Sequence, residues 1–212
     1  MPPLDDGHRQ RLGLVAELTA RDVRAEARKA YVSDIDRWWA GGAGSRITDR
    51  VAAGFQASAL LGGDYLTASA LASGLQLDPV LAVVDVAQLA TSLRVVGPVA
   101  FKINIAQSRD RNTARQVMTT RLEGAAKRLA LAGERETVMG TIERSNVIVG
   151  YQRVTASGAC EFCQMLAGRG AVYKSRATAS TVVGRRGKPR GNQRIGRSFH
   201  DHCRCTVQPI YG

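Results

Sequence analysis

Apolar residues recur at helical spacing through the first 150 residues of this chain, with charged residues between them. The first apolar face consists of Leu12, Ala16, Val23 and Ala27. His8 precedes this face, and we expect its side chain to be solvated. The glycine-rich run 41–44 then breaks the pattern directly after Trp38 and Trp39, which we expect to anchor a core or an interface.

Glycine and proline pairs divide the next part of the chain into shorter helices. Residues 48–61 predict a second helix that ends at the glycine pair 62–63, with another turn or two after it. The pair 78–79, Asp followed by Pro, predicts a new helix start, because Asp can cap the first amides and Pro fits the first turn. The Gly-Pro pair 97–98 should end that helix. Its apolar stripe consists of Val80, Val83, Val84 and Ala87.

Two further helices are predicted before residue 150. The longest amphipathic run has one apolar face, formed by Ala114, Met118, Leu122, Ala125 and Leu129. Residues 134–149 predict a last helix that carries Val138, Ile142 and Val149 inward.

The pattern changes at about residue 149. Short apolar pieces at 149–154, 171–173 and 205–210 are separated by glycine and polar turns, which is typical of a small β-containing unit. We therefore predict a mainly α protein: a helical domain over 1–148, as a bundle or extended helices, and a small α+β unit over 149–212. Aromatic residues make up only 5% of the chain, which agrees with packed helices rather than an all-β fold.

No run of about 18 apolar residues and no basic N-terminal leader is present, so neither a membrane span nor export is expected. A reducing cytosol follows as the expected compartment. In that compartment, paired cysteines are more often metal ligands or redox groups than structural disulfides.

The formal net charge is +12, and residues 169–204 contain ten basic residues against one acidic residue. Such a patch attracts polyanions, which makes DNA an expected partner, although a solvated loop that only maintains solubility would have the same composition. Residues 184–194 lack both apolar periodicity and aromatic side chains, so any DNA binding should be non-specific. In the basic loop, about 184–198, the candidate nucleic-acid-binding residues are Arg185, Arg186, Lys188, Arg190, Arg194 and Arg197.

All four cysteines and two of the three histidines lie in the last quarter of the chain. Two thiolates in a Cys-x-x-Cys turn can hold one side of a tetrahedral zinc ion, and a distant Cys or His pair can complete it. The preferred structural zinc ligands are Cys160, Cys163, His200 and Cys203, with Cys205 in reserve. Cys205 is in reserve because its side chain and that of Cys203 point in different directions in an extended segment. Buried structural thiols, disulfides and a catalytic thiol are the alternatives.

The order of these motifs resembles the phage Mu F-like minor head proteins. The resemblance covers about residues 145–212 and is carried by Cys-x-x-Cys-x-x-Leu-Ala at 160–167 and His-x-His-Cys-x-Cys at 200–205. It implies a minor capsid (head morphogenesis) protein of a tailed bacteriophage that acts near the portal in head assembly and DNA packaging. The implied partners are the portal and major capsid proteins. The implied location is the phage head, and the host cytoplasm during assembly.

Proteins related in this way are often labelled capsid maturation proteases, so an enzyme is the second hypothesis. A serine enzyme using Ser157 or Ser198 lacks a nucleophile-elbow pattern. A cysteine protease would need a thiolate beside an imidazole, from Cys160 or Cys163 with His200 or His202. We rank the structural head protein first, because clustered cysteines favour shared ligation over one activated nucleophile. A host zinc module that binds nucleic acid is the third alternative.

Overall fold

The computed structural model of the protein describes residues 6–155, 161–168 and 205–212. These residues are mainly helical and end in a small two-stranded antiparallel sheet, as the sequence predicted. The helices are α1 (Asp6–Ala27), α2 (Ile35–Trp38), α3 (Gly44–Ala72), α4 (Val86–Arg94), α5 (Ala100–Ala106), α6 (Arg111–Ala130), α7 (Ala132–Arg144) and α8 (Glu161–Ala167). The strands are β1 (Ile148–Val154) and β2 (Thr206–Tyr211).

A first apolar core joins α1, α3, α4 and α6. The predicted inner face of α1 is buried, and the predicted face of α6 is buried except at Leu129, which is partly covered. Trp38 is 4% exposed and packs edge-on against Trp39, with ring centroids 5.8 Å apart. The predicted role of the tryptophan pair as a core anchor is therefore confirmed.

The predicted break at residues 41–44 is a kink between α2 and α3. Gly42 has a φ of 103°, a conformation that side chains other than glycine rarely adopt. Gly44 lies against the indole of Trp39, and a Cβ at this position would stand 2.7 Å from Nε1 of that ring. The glycines of this run thus serve both the turn and the close packing of Trp39.

Helix α3 does not end at the glycine pair 62–63, so the predicted stop there is wrong. A Cβ on Gly62 would lie 3.1 Å from the Cα of Glu134, and a Cβ on Gly63 would lie 2.6 Å from Cδ2 of Leu81. Both glycines are in the middle of a continuous helix because other parts of the chain approach its backbone closely at these positions. Their role is packing rather than termination.

The helix predicted to start at residues 78–79 starts later, at Val86. Asp85 is its N-cap: the Oδ1 atom of Asp85 accepts a hydrogen bond from the backbone amide of Gln88 at 2.9 Å. A second Asp therefore provides the cap that the sequence analysis assigned to Asp78. Of the predicted stripe, Val80, Val83 and Val84 are not helical, whereas Ala87 lies in the helix that starts at Val86.

Residues 80–84, called here the extended segment, run along α7 without regular secondary structure. The backbone amide of Val80 donates to Thr141 Oγ1 at 2.9 Å, and that of Ala82 donates to Thr137 Oγ1 at 3.0 Å. The two threonines are one helical turn apart on α7. Side-chain hydroxyls thus replace the intrahelical hydrogen bonds of the predicted helix.

The Gly-Pro pair 97–98 bends the chain between α4 and α5 instead of ending the helix outright. Gly97 departs from helical geometry with φ −92° and ψ −109°. By length and composition alone, the kinked stretch Val86–Ala106 could cross a membrane. The same composition suits a core helix, and Leu89, Leu93 and Phe101 of this stretch are buried in the first core.

A second apolar core lies between α3, α7 and the sheet, and includes Leu66, Val138, Tyr151 and Val207. The strands predicted at 149–154 and 205–210 are confirmed. The predicted piece 171–173 lies outside the described residues. The division into domains at 148/149 remains a prediction, although β1 begins at Ile148.

The last predicted helix is shorter than expected, since α7 ends at Arg144. Val138 and Ile142 face inward as predicted. Val149 does not, because it belongs to β1, where it alternates with the buried Ile148 and Gly150 and is 55% exposed.

Candidate functional site

The candidate site is the junction between α7 and β2, next to Cys205. The guanidinium of Arg135 is buried there and donates two hydrogen bonds to the carbonyl oxygen of Cys205, from Nε at 3.0 Å and from another nitrogen at 2.8 Å. A cationic donor makes such bonds stronger than neutral ones. Arg135 therefore fixes the chain at the point where it enters β2, 70 residues away in sequence.

Glu134 stands beside Arg135 and is fully buried. Neither of its carboxylate oxygens has a hydrogen-bond partner among the described residues. Burial raises the pKa of Glu134 to about 8, against the opposing effects of the Arg135 charge and the nearby amide of Val207. The carboxyl is consequently protonated over most of the neutral range, which removes the cost of burying a negative charge.

Tyr65 of α3 and His8 of α1 form a stacked pair, with ring centroids 4.6 Å apart and planes 20° apart. Burial raises the pKa of Tyr65 to about 12, although hydrogen bonds to Ser69 and Gln208 oppose this rise. His8 is only 1% exposed, so the expected solvated histidine is wrong. Its end of α1 packs on α3, which a local pattern does not reveal.

Polar contacts also fix the sheet against the helices. The Nε2 atom of Gln152 in β1 donates to Oε1 of Gln208 in β2 at 2.7 Å, across a directly paired position. The hydroxyl of Tyr211 donates to the carbonyl of Leu66 in α3 at 3.3 Å. Because these partners are specific, a slip of one residue in the β1–β2 register would lose them.

Two of the five predicted metal ligands lie within the described residues, and the fold brings both into one core. Cys163 on α8 and Cys205 before β2 are each 2% exposed and belong to the same apolar cluster as Tyr151. Each half of the predicted Cys/His set thus contributes a thiol to this junction. The described residues contain no group of three or more Cys, His, Asp or Glu that could hold a metal. Cys160, His200 and Cys203 lie outside the described residues.

The predicted nucleic-acid-binding residues and the remaining candidates for catalysis also lie outside the described residues. These are Arg185, Arg186, Lys188, Arg190, Arg194, Arg197, Ser157, Ser198 and His202.

Sequence reasoning missed Glu134 and Arg135. A local signal was present for Glu134, which lies one helical turn before Val138, a residue that the sequence assigned to the inner face. The adjacent Gly133 gave no such signal, because its close approach to α3, where a Cβ would stand 2.0 Å from the carbonyl oxygen of Phe55, is visible only in the folded structure.

These features define a mainly helical protein whose C-terminal strand is held in the helical core by buried polar groups. The family model of the VG15 protein matches residues 15–212, and the chain belongs to this family of viral gene products. It is accordingly a bacteriophage protein. No curated protein and no solved structure matches the chain.

Proposed function

We propose that this bacteriophage protein is a minor capsid protein that acts near the portal in head assembly and DNA packaging, with the portal and major capsid proteins as its partners. The main support is the extent of the family match, which includes the helical part and both strands. The helical part and the cysteine-bearing end therefore belong to one viral unit. The order of the Cys and His motifs gives this unit its likeness to phage head proteins.

The anchoring of β2 suits a structural role. Arg135, the Gln152–Gln208 pair and Tyr211 each bind a group on a distant part of the chain. A strand fixed in this way to the helical core resists being pulled from it, which suits a component of a head that is filled with DNA. This is the mechanical role that we assign to the junction.

The cysteine cluster is the second part of the proposal. We assign a structural Zn²⁺ to Cys160, Cys163, His200 and Cys203, with Cys205 in reserve. The shared core that contains Cys163 and Cys205 supports this, because it brings the two halves of the Cys/His set to one region. Bound zinc would cross-link that region through thiolate and imidazole groups.

Zinc removal tests this assignment. We expect one zinc per chain in protein purified under reducing conditions, measured by atomic emission, and protected thiols in a reaction with dithionitrobenzoate. A chelator should release the zinc, expose the thiols and lower the melting temperature. Metal-free protein with unchanged stability after chelation would contradict the assignment. As a second test, the variant Cys163→Ser, which removes one assigned ligand, should lose zinc under the same purification.

The head-protein proposal is tested in a phage whose copy of the gene carries a stop codon, complemented by a plasmid-encoded copy. Wild-type protein should be incorporated in heads at low copy. Without complementation, heads should be defective or unfilled, while the major capsid protein keeps its normal mass. Purified heads, mass spectrometry and packaged-DNA content provide the readouts. Absence of the protein from every head and portal fraction would overturn the proposal.

The same complementation separates the head protein from the maturation protease. Under the protease hypothesis, Cys163→Ala should abolish processing of capsid or scaffold protein although the variant remains folded. Under our proposal, Cys163→Ala acts only through folding and incorporation. Circular dichroism of the purified variant distinguishes the two, because a folded variant with lost processing would favour the protease.

A further inference from the structure

The solvent-facing side of α1 has a regular stripe of exposed residues. Its members are separated alternately by three and four positions, and we call them the outer stripe: Arg11, Leu14, Leu18, Arg21, Ala25 and Arg28. This spacing is the heptad pattern with which one helix packs along another. The opposite side of α1 is buried against α3 and α6, so the outer stripe is not part of the core. At about 1.5 Å of rise per residue, the stripe is about 25 Å long.

Two leucines one helical turn apart form the apolar centre of the outer stripe. Leu14 is 61% exposed and Leu18 is 48% exposed. Covering both side chains would remove apolar surface from water, which favours association with a partner that has an apolar centre of its own. Because α1 is already packed on α3 and α6, such a partner would bind a preformed helix and would not incur the entropy cost of ordering it.

Arginines lie on both sides of this apolar centre along the helix. Arg11 precedes the leucines, and Arg21 and Arg28 follow them. Arg28 directly follows α1, and its backbone amide continues the helical pattern by donating to the carbonyl of Arg24 at 3.0 Å. Within the part of the chain that the structure describes, Arg11 and Arg28 form no ion pair, and Arg21 contacts only its neighbour Asp22, at 3.3 Å. Carboxylates of a partner would therefore find guanidinium donors at both ends of the stripe.

The order of charges argues against a second copy of the chain as the occupant. If two α1 helices paired in parallel and in register, each arginine of the outer stripe would face the same arginine of the other copy. In the antiparallel pairing that places Leu14 against Leu18, Arg11 would face Arg21. Like charges that face each other across a contact disfavour it. The outer stripe is thus complementary to acidic residues and not to itself.

A lipid membrane and DNA fit the outer stripe less well than a helix does. Glu17 and Asp22 flank the stripe, one on each side, and an anionic membrane would be repelled by both. DNA phosphates would leave the exposed leucines uncovered. We propose that the outer stripe of α1 binds a helix of another protein whose own heptad stripe has an apolar centre and acidic residues on both sides of it. This inference is independent of the proposed role in the phage head.

Synthetic helical peptides that bind the full chain, with binding measured by fluorescence anisotropy, test the proposal. The Glu peptide has Glu, Leu, Leu, Glu, Ala and Glu at its successive heptad positions, and a second version has the reverse order for antiparallel binding. The Lys peptides have Lys in place of each Glu. One version of the Glu peptide should bind. Both Lys peptides should bind at least about tenfold more weakly, because their charges would face the arginines.

Replacement of the two leucines tests the apolar centre. Leu14→Gln combined with Leu18→Gln should weaken binding of the Glu peptide at least about tenfold, because the apolar surface is lost. The matched control is Leu60→Gln combined with Leu71→Gln, which changes two exposed leucines of α3 and should leave binding unchanged. All four leucines are exposed, so both variants should remain folded, and thermal melting measures this.

Charge reversal tests the arginines. Arg11→Glu combined with Arg28→Glu should weaken binding of the Glu peptide and strengthen binding of the Lys peptide, each by at least about tenfold. The matched control, Arg50→Glu combined with Arg144→Glu, changes the net charge equally at exposed positions of α3 and α7. It should change the binding of either peptide much less.

Four outcomes would overturn the proposal. The first is that neither version of the Glu peptide binds. The second is that binding is the same after replacement of Leu14 and Leu18, which would assign the peptide to another basic part of the chain. The third is self-association in sedimentation experiments that this replacement abolishes, which would assign the stripe to a second copy. The fourth is binding to phosphatidylserine-containing vesicles that the replacement abolishes, which would assign the stripe to a membrane.

Discussion

At the scale of single residues, the buried pair Glu134 and Arg135 dominates the junction between helices and sheet. The two side chains are adjacent, and both are shielded from water, but their surroundings differ. Arg135 has a carbonyl acceptor for its charge, whereas Glu134 is stable in this position chiefly as the neutral acid. Opposite consequences follow for substitution of the two residues.

Glu134→Gln should abolish a pH dependence of stability. The folded-state pKa of about 8 lies above the ordinary value of 4.5, so the folded protein binds the extra proton and loses stability as pH rises through this window. The expected slope is about 1.4 kcal/mol per pH unit at most. Gln keeps the shape without the charge, so the variant should equal wild type at pH 4 and exceed it at pH 8. Urea unfolding at both pH values measures this. Parallel pH profiles of the two proteins would contradict it.

Arg135→Met should destabilise the protein at every pH, by about 3 kcal/mol. The substitution leaves the Cys205 carbonyl without its donor and removes the positive charge beside Glu134. Arg144→Met, at the exposed end of the same helix, is the control and should change stability by about 0.5 kcal/mol or less. Chemical denaturation of both variants decides the matter. Equal effects would show that Arg135 contributes nothing specific.

At the scale of elements, glycines decide where helices approach each other and where they end. Gly62, Gly63 and Gly133 lie inside helices and at close contacts, although the sequence analysis treated the first two as a stop. A glycine that ends a helix and a glycine that admits a neighbour look alike in the sequence. Only the position of the neighbour distinguishes them.

Gly133→Ala and Gly140→Ala form a matched pair on α7. The added methyl at Gly133 would meet the Phe55 carbonyl oxygen at 2.0 Å, which should destabilise the protein by about 1–3 kcal/mol or more. At Gly140 the methyl meets nothing, and the better helix propensity of Ala should stabilise by about 0.5–1 kcal/mol. Melting temperatures should therefore shift in opposite directions. Shifts of the same sign would refute the packing role of Gly133.

At the scale of the whole molecule, we propose that DNA is bound by the basic loop expected from the sequence, residues 184–198, which contains six basic residues and no acidic one and so carries half of the net charge of +12. Charge alone would give any basic surface some affinity for DNA. The proposal requires more than that, because the loop residues should matter more than an equal number of basic residues elsewhere.

DNA binding can be measured with two variants of equal net charge. Replacement of Arg185, Arg186 and Lys188 by Gln should make the negative slope of log K against log salt shallower by up to about 3, since each lost phosphate contact contributes about 0.9. The control replaces the exposed Arg28, Arg50 and Arg94 by Gln and should change the slope much less. Fluorescence anisotropy with random-sequence duplex DNA at several salt concentrations provides the slopes. Equal slopes in the two variants would show that the loop contributes no more to DNA binding than other basic residues do, as expected of a segment that only maintains solubility.

The sequence was sufficient for elements whose signal is local. The inner faces of α1 and α6 were predicted from apolar residues three and four positions apart, because every helix repeats with the same period. The strands β1 and β2 were predicted from short apolar pieces of the sequence. The burial of Trp38 was predicted from its large side chain. Cys163 and the reserve ligand Cys205 lie in one apolar core, whereas the predicted zinc ligand set as a whole stays a prediction.

The tertiary structure alone decided what depends on distant neighbours. Thr137 and Thr141 hold the extended segment where Asp78 and Pro79 predicted a helix, because hydroxyls some 55–61 residues away bind its amides. Glu134 has its raised pKa because it is fully buried, with Gly62 of α3 and Val207 of β2 beside it. By itself, the sequence determined the local periodicity and therefore the helices and strands. Burial and close approach arise between segments far apart in the chain, so only the folded structure could determine them.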